Sequence, residues 1–264
     1  MGHSLLGRLQ KTKEWKDVIA LIAGGGGAPE VAEKLIVATE KAFSEVQDDP
    51  TFKTVVAYMV DVAQAATTAD PKNALEQLGI VVNAQTQPLD VAMGAQAYLD
   101  AQCRKTKADS DFGEKAILAL TSTLVQHMQS NQLQLFDQGE TKALSPLVKL
   151  KSPAEFGKFG ESFFANLTHS SLDYFLSKDL GTHVGEGKRF ASMNQMGQFQ
   201  DAVLQHCRES AVITRQYCQG WFAKHLRESG GHISAKEAKG FGWFGMNKMR
   251  SEISGHHDRY ECGP

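Results

Sequence analysis

The sequence predicts an all-α protein, either a multi-helix bundle or a short stack of helical hairpins followed by a second helical domain. Apolar residues recur at three- and four-residue intervals along most of the 264 residues, which is the period of amphipathic helices. Typical helix-start signals precede several of these stripes. Strand-like signals are confined to two short, isolated stretches, residues 79–82 and 132–136.

Apolar stripes predict the helices of the first half. Trp15, Val18 and Ile22 share one helix face before the run of four glycines at 24–27. Asp49 as N-cap and Pro50 in the first turn predict the start of another helix. The remaining stripes are Val31-Leu35-Ala38-Ala42-Val46, Leu89-Ala92-Gln96-Leu99-Cys103 and Ile117-Leu120-Leu124-Met128.

The first half also contains a faint internal repeat. The unit that begins at Pro29 resembles the unit that begins at Pro88, with Phe52 and Phe112 at equivalent positions. Two stacked helical hairpins would explain the repeat, because neither could cover its apolar face alone. A polar stretch at 136–146 suggests a boundary, so we expect an acidic hairpin region over 1–136 and an aromatic, histidine-rich helical region over 146–264.

Two capping boxes predict helix starts in the second half, at Ser152 and at Ser234. The first helix should run to Leu180, where Gly181 can take the left-handed cap conformation. Its phenylalanine stripe predicts a core helix, and Gly157 and Gly160 would let another helix approach closely. A long helical segment is expected over 198–228.

The glycine run at 24–27 raises the question of a phosphate-binding loop. Pro29 stands where a dinucleotide pattern requires glycine, and no Gly-Lys pair follows. Glu30 and Glu33 occupy the helix turn that a phosphate would approach, which favours the free helix and opposes an anion. The run is therefore predicted to be a turn between two helices.

Composition and charge exclude several classes of protein. The net charge of −2 argues against a protein built mainly to coat nucleic acid or an anionic membrane. No apolar run has the length of a transmembrane helix. The four cysteines form no CxxC pair, so a cytoplasmic setting with free thiols is expected. Most aromatic residues and seven of the nine histidines lie in the second half, where a site is expected.

The loop 181–189 is the first candidate site. Three glycines alternate with His183, Lys188 and Arg189 directly after a predicted helix end. Backbone amides with two cations and an imidazole could bind a phosphate, a carboxylate or a nucleic-acid backbone. The alternative interpretation is a solvated loop between two helices.

The aromatic and glycine-rich run at 239–248 is the second candidate site. Phe241, Trp243 and Phe244 cannot all pack on one helix face, so they are candidate exposed anchors for a partner. They could instead stack on bases beside the basic stretch 236–250, or insert at a lipid surface. The simplest alternative is that the rings fold back onto the core.

The cysteines and histidines do not form a convincing metal or nucleophile motif. Cys207 and Cys218 are expected on one helix face as small buried core residues. His256, His257 and Cys262 in the tail would need a further ligand to hold zinc. Neither a metal nor a cofactor is therefore predicted.

These observations favour a non-enzymatic, cytosolic interaction module or assembly subunit. It would bind a protein partner, or itself, mainly through its C-terminal half, with Lys188 and Arg189 as further polar contacts. One alternative is anion or nucleic-acid binding through the loop 181–189 and the basic stretch 236–250. Another is an enzyme that acts on a phosphorylated small molecule, with His183 as acid and base.

Overall fold

The structure, a computed structural model, describes residues 12–40, 43, 48–106, 110–131, 140–228 and 233–255. This part of the chain forms eleven α-helices, a short 3-10 turn and one isolated β-bridge, with no sheet. The prediction of an all-α fold is thus confirmed. The helices are α1 (Lys13–Ala23), α2 (Ala28–Ala38), α3 (Pro50–Ala65), α4 (Pro71–Gln77), α5 (Pro88–Thr106), α6 (Asp111–Asn131), α7 (Glu140–Lys149), α8 (Pro153–Leu180), α9 (Met193–Ser210), α10 (Val212–Glu228) and α11 (Ala235–Ile253).

Helix α8 is the centre of the fold, and α6, α9 and α10 pack against it. Its 28 residues include a run of buried phenylalanines, among them Phe156, Phe163 and Phe164, as the stripe in the sequence predicted. The helix begins at the predicted position with Ser152 as N-cap residue, but the predicted capping box does not form: the Ser152 side chain makes no capping hydrogen bond, and its N–H donates to the Lys149 carbonyl. The helix ends at Leu180, as predicted, but the expected left-handed cap is wrong, because Gly181 has a φ of −58° and continues into a short 3-10 turn.

Two glycines on α8 allow the close packing of α10. A Cβ atom on Gly160 would lie 2.5 Å from Cys218 Sγ, and one on Gly157 would lie 2.9 Å from the carbonyl oxygen of Arg215. These distances are shorter than ordinary carbon contacts, so only glycine fits at either position without movement. The close approach expected from the glycine spacing is confirmed.

Helix α3 is a second buried element, and it packs against α6 and α11. Asp49 caps it, with Oδ1 accepting a hydrogen bond from the Phe52 backbone N–H at 2.7 Å. The same carboxylate also serves α6, because its Oδ2 accepts from Ser110 Oγ. Ser110 Oγ in turn accepts from the Gly113 N–H at 2.9 Å. The two helices therefore begin side by side, with the rings of Phe52 and Phe112 5.2 Å apart.

The described helices of the two sequence-repeat units have different neighbours. Helices α5 and α6 of the second unit pack against each other as a hairpin. In the first unit, α2 packs against α1, α9 and α11. Residues 79–82 form an irregular segment and not a strand. Gly94 on α5 allows this segment to pass, since a Cβ there would lie 2.3 Å from the Gly79 carbonyl oxygen.

The glycine run forms the turn between α1 and α2, as predicted. Helix α1 ends at Ala23, with Trp15, Val18 and Ile22 buried. Gly25 has a φ of 90°, which side chains other than glycine rarely adopt. The Glu30 carboxylate accepts from the Gly27 N–H at 3.2 Å and so occupies the N-terminus of α2.

The predicted helical segment 198–228 is interrupted. The structure has α9 and α10 here, separated at Ala211, whose carbonyl oxygen accepts from both the backbone N–H and the hydroxyl of Thr214. Val212 and Ile213 next to the break are exposed. β-Branched residues have reduced helix propensity, which makes this run a weak point for a continuous helix.

The two halves of the sequence share one hydrophobic core. Helix α11 lies against α3, and α8 lies against α6, so each half covers apolar surface of the other. Gln64 joins the halves through a buried pair of hydrogen bonds, donating to the Ile233 carbonyl at 3.2 Å and accepting from the Ile233 N–H at 2.6 Å.

Candidate functional site

The loop after α8 is folded tightly on itself. Phe190 closes it, because its N–H donates to the His183 carbonyl at 3.0 Å and its carbonyl accepts from the Gly185 N–H at 2.9 Å. The Lys188 N–H donates to the Gly185 carbonyl at 3.2 Å. Gly185 and Gly187 both have positive φ values, which explains the need for glycine in so short a turn. Several of the amides that an anion would need are therefore used within the loop.

The cationic side chains of this loop point to different partners. Lys188 Nζ donates to the Thr182 carbonyl at 2.8 Å and so turns back onto its own loop. Arg189 reaches the α1–α2 turn, where one of its terminal nitrogens lies 3.4 Å from the Gly26 carbonyl oxygen. Its guanidinium carbon is 5.2 Å from the centre of the Phe190 ring. His183 is half-buried. The two glycine-rich segments of the sequence thus meet through Arg189.

Phe241 was expected to be exposed, and this expectation is wrong. Its side chain is 1% exposed and lies among the rings of α8 and α10, with centroids 4.5 Å from Trp221, 5.4 Å from Tyr217 and 5.8 Å from Phe156. Gly242 and Gly245 let α11 approach its neighbours closely enough for this burial. A Cβ on Gly245 would lie 2.1 Å from the Phe164 ring.

Phe244 faces outwards and is 53% exposed, while Trp243 is half-buried. Residues 241, 244 and 248 are three and four positions apart, so their side chains are neighbours along α11. Phe244 therefore lies between the buried Phe241 and Lys248. A Cβ on Gly240, one turn before Phe244, would meet no atom within 4 Å. Phe244 is thus an exposed aromatic side chain beside an open stretch of backbone.

Three residues of α10 complete an aromatic surface that sequence reasoning missed. Tyr217 donates from its hydroxyl to the Phe241 carbonyl at 3.1 Å, and its ring centre lies 5.6 Å from Lys248 Nζ. Trp221 stacks on His225, with ring centroids 4.3 Å apart. The spacing of residues 217, 221 and 225, at i, i+4 and i+8, was visible in the sequence and could have revealed this stripe. We call Tyr217, Trp221, His225, Phe244 and Lys248 the α10–α11 surface.

The basic stretch 236–250 does not form one continuous face. Lys248 lies over Tyr217 on the α10–α11 surface. Arg250 lies on another side of α11, where a terminal nitrogen is 3.8 Å from Glu40 Oε1 and the guanidinium is 5.8 Å from the Phe43 ring centre. These two cations therefore do not act together on one phosphate backbone.

Cys207 and Cys218 are completely buried, which confirms the structural interpretation, although they lie on successive helices and not on one. Burial raises the pKa of Cys207 to about 12 and raises that of Cys218 well above its usual value. Neither thiol is therefore an ionised nucleophile at neutral pH. Within the described ranges, no group of three histidine, cysteine or carboxylate side chains could hold a metal ion. His256, His257 and Cys262 lie outside the described residues.

Comparison of the chain with models of known protein families, with characterised proteins and with solved structures finds no match. None of the helices in the described part of the chain is long and apolar enough to cross a membrane.

Proposed function

We propose that this chain is a non-enzymatic cytosolic interaction module, or a subunit of a larger assembly, that binds a protein partner mainly through its C-terminal half. The observation that carries the proposal is the exposure of Phe244, which is 53% open to solvent on α11, whereas Phe241 of the same helix packs against Tyr217 and Trp221. Aromatic residues are enriched at the energetic centres of protein interfaces.

The packing of α11 supports this proposal because it holds Phe244 in a fixed position. Close glycine contacts lock the helix to its neighbours, with Gly242 against Val56 of α3 and Gly245 against Phe164 of α8. A side chain displayed on such a helix loses little conformational entropy when it binds. Lys248 beside it provides a cation, so the surface combines an apolar centre with a polar edge.

Anion binding through the loop 181–189 is less favoured by the same structure. A phosphate site gains most from backbone N–H groups that converge on the ligand. Here the amides of Gly185, Lys188 and Phe190 already donate to carbonyl oxygens within the loop. His183, Lys188 and Arg189 remain the candidates should an anion bind there.

Replacing Phe244 with alanine tests the proposed function. The tagged full chain would be expressed in its native cells, and co-purifying proteins quantified against an empty-tag control, with self-association measured by analytical ultracentrifugation. We expect the Phe244→Ala substitution to weaken the association by about thirtyfold, since a central aromatic contact contributes about 2 kcal/mol.

Leu89→Ala is the matched control, because Leu89 is an exposed apolar residue of the first half, at 62% exposure. This variant should retain the partner. The proposal fails if Phe244→Ala retains the association in full, or if both variants weaken it equally. A wild-type chain that is monomeric and enriches no protein would also overturn it.

A further inference from the structure

A polar groove runs between α6 and α8, on a part of the molecule that the proposed function does not use. It consists of two adjoining hollows of about 180 Å³ and 250 Å³ that share Gln126 and Ser162. The groove is open to solvent along one side. Two helices that pack against each other through apolar faces do not require a row of polar residues between them.

The groove arises because polar residues continue one helical stripe on each side. On α6, Thr123, Gln126 and Ser130 lie three to four residues apart and face the same way. On α8, Ser162 and Asn166 do the same. Phe159 and Ala165 provide apolar wall between these polar groups.

Asn166 is the strongest indication of a ligand. Its side chain is 8% exposed and lines the smaller hollow. Its amide nitrogen donates to Thr123 Oγ1 at 3.0 Å and to Gln126 Oε1 at 3.2 Å. Thr123 gives its own proton to the Ala119 carbonyl at 2.7 Å, so its hydroxyl oxygen must accept from Asn166. This network fixes which way the amide points.

With both amide protons used, the Asn166 carbonyl oxygen is left to accept a hydrogen bond in the groove. Within the described part of the chain, no donor reaches this oxygen. The oxygen is open to the groove, where water or a ligand can donate to it. Ser162 stands beside it with a hydroxyl that can donate or accept.

Charges of both signs line the smaller hollow. Arg208 of α9 brings a guanidinium to the groove, and it forms no ion pair among the described residues. Glu161 brings a carboxylate that Arg215 already binds through two nitrogens. Each carboxylate oxygen has a second lone pair and can accept a further donor.

The neighbouring hollow adds a second balanced pair and a neutral imidazole. Lys158 Nζ donates to Glu155 Oε1 at 2.7 Å. Burial lowers the pKa of His127, against the opposing effect of Glu155, while its Nε2 lies 2.8 Å from the Pro146 carbonyl oxygen. The groove therefore carries both charges with little excess of either.

We propose that this groove binds a small zwitterion of the amino-acid class. The ligand carboxylate would lie against the Arg208 guanidinium and the Gln126 amide nitrogen. The ligand ammonium would donate to the Asn166 carbonyl oxygen and to the Glu161 carboxylate. A single anion would use only Arg208 and Gln126, and a single cation would lie beside Arg208, so a ligand with both groups uses the whole set.

The test measures binding of glycine, L-serine and L-glutamine to the full chain by isothermal titration calorimetry, with acetate and methylammonium as single-charge probes. We expect at least one amino acid to bind with a millimolar or lower Kd, and neither single-charge probe to bind comparably. Arg208→Gln should raise that Kd at least tenfold, and Ser162→Leu, which fills the groove, should abolish binding.

Arg104→Gln is the matched control, because Arg104 is an exposed arginine on α5, away from the groove. This variant should bind like the wild type. Circular dichroism of each variant separates loss of binding from loss of folding. Absence of amino-acid binding to the wild type, or unchanged binding to Arg208→Gln, would overturn the proposal. Acetate that binds as tightly as the amino acids would show a simple anion site instead.

Discussion

At the scale of single residues, the glycines of α11 determine which of its aromatic side chains reach the core. Gly242 and Gly245 lie on the buried side, and they let the helix approach Val56 and Phe164 until Phe241 is enclosed. Gly240 lies on the open side, where a Cβ would meet nothing within 4 Å. The same residue type therefore has opposite roles within one helix.

This difference gives a paired prediction about stability. Gly245→Ala should lower the free energy of unfolding by about 1–3 kcal/mol, because its Cβ would overlap the Phe164 ring. Gly240→Ala should raise that free energy by up to about 1 kcal/mol, because alanine has the higher helix propensity and meets no neighbour there. Urea unfolding followed by circular dichroism measures both effects.

The pair contains its own control, since both substitutions add one methyl group to the same helix. Equal changes in the two variants would show that α11 is not packed through Gly245 as described. An effect of the predicted sign and size in each would also confirm that Phe244, one residue before Gly245, is held on the outside.

The burial of Phe241 illustrates what the sequence could and could not predict at this scale. Helical periodicity indicated that three closely spaced aromatic residues could not share one face, which is correct. It did not indicate which of them would be buried, because that depends on the facing rings of Tyr217 and Trp221 on another helix. Contacts between helices distant in sequence leave no local signature.

At the scale of elements, one carboxylate joins the starts of two helices. Asp49 Oδ1 caps α3, and Asp49 Oδ2 accepts from Ser110, which itself accepts from the Gly113 N–H of α6. The cap of α3 was predictable, since an N-cap signal is contained within four residues. Its link to α6 was not predictable, because Ser110 is far away along the chain.

The shared cap predicts that Asp49 and Ser110 are energetically coupled. Asp49→Ala should lower the free energy of unfolding by about 2 kcal/mol, the upper end for a single cap. A double-mutant cycle with Ser110→Ala should give a coupling energy of about 1 kcal/mol. Urea unfolding of the two single variants and the double variant provides the measurement.

Asp70→Ala is the control for this cycle. Asp70 caps the short helix α4 at an exposed position, accepting from the Asn73 N–H at 3.1 Å. Asp70→Ala should lower the free energy of unfolding by less than Asp49→Ala does. Its effect should add to that of Ser110→Ala without coupling. A coupling energy near zero for Asp49 and Ser110 would contradict the shared cap.

The interruption at Ala211 and the pairing of α2 show where prediction at the element scale ended. No glycine or proline marks the break between α9 and α10, so the periodic pattern ran through it. The stripe of α2 likewise did not indicate that this helix packs on α1, α9 and α11. An amphipathic stripe states that a face is buried and leaves open which helix buries it.

At the scale of the whole molecule, contacts between the two compositional halves are extensive. Trp15 of α1 donates from its indole nitrogen to Asp179 of α8 at 2.9 Å. Gln64 of α3 bonds both backbone groups of Ile233, just before α11. The hydrophobic core passes through both halves without interruption. Neither half could keep its buried surface away from water alone.

We therefore expect the described helices to unfold in a single transition. Trp15 lies in the first half, at its contact with α8, and Trp221 and Trp243 lie in the second half. In the variant Trp221→Phe/Trp243→Phe, fluorescence follows the surroundings of Trp15 on α1, whereas in Trp15→Phe it follows the two tryptophans of the second half. In each variant, the urea midpoint by fluorescence should coincide with the midpoint by far-ultraviolet circular dichroism.

Gln64→Ala sharpens this test, because it breaks the direct link between α3 and Ile233 and leaves two buried backbone groups without partners. It should lower the free energy of unfolding by about 2–3 kcal/mol and shift both fluorescence midpoints together. If the Trp15 signal changes at lower urea than the circular dichroism signal, the halves unfold separately. Coincident shifts mean that any partner or ligand that binds one half stabilises the other as well, because both belong to one cooperative unit.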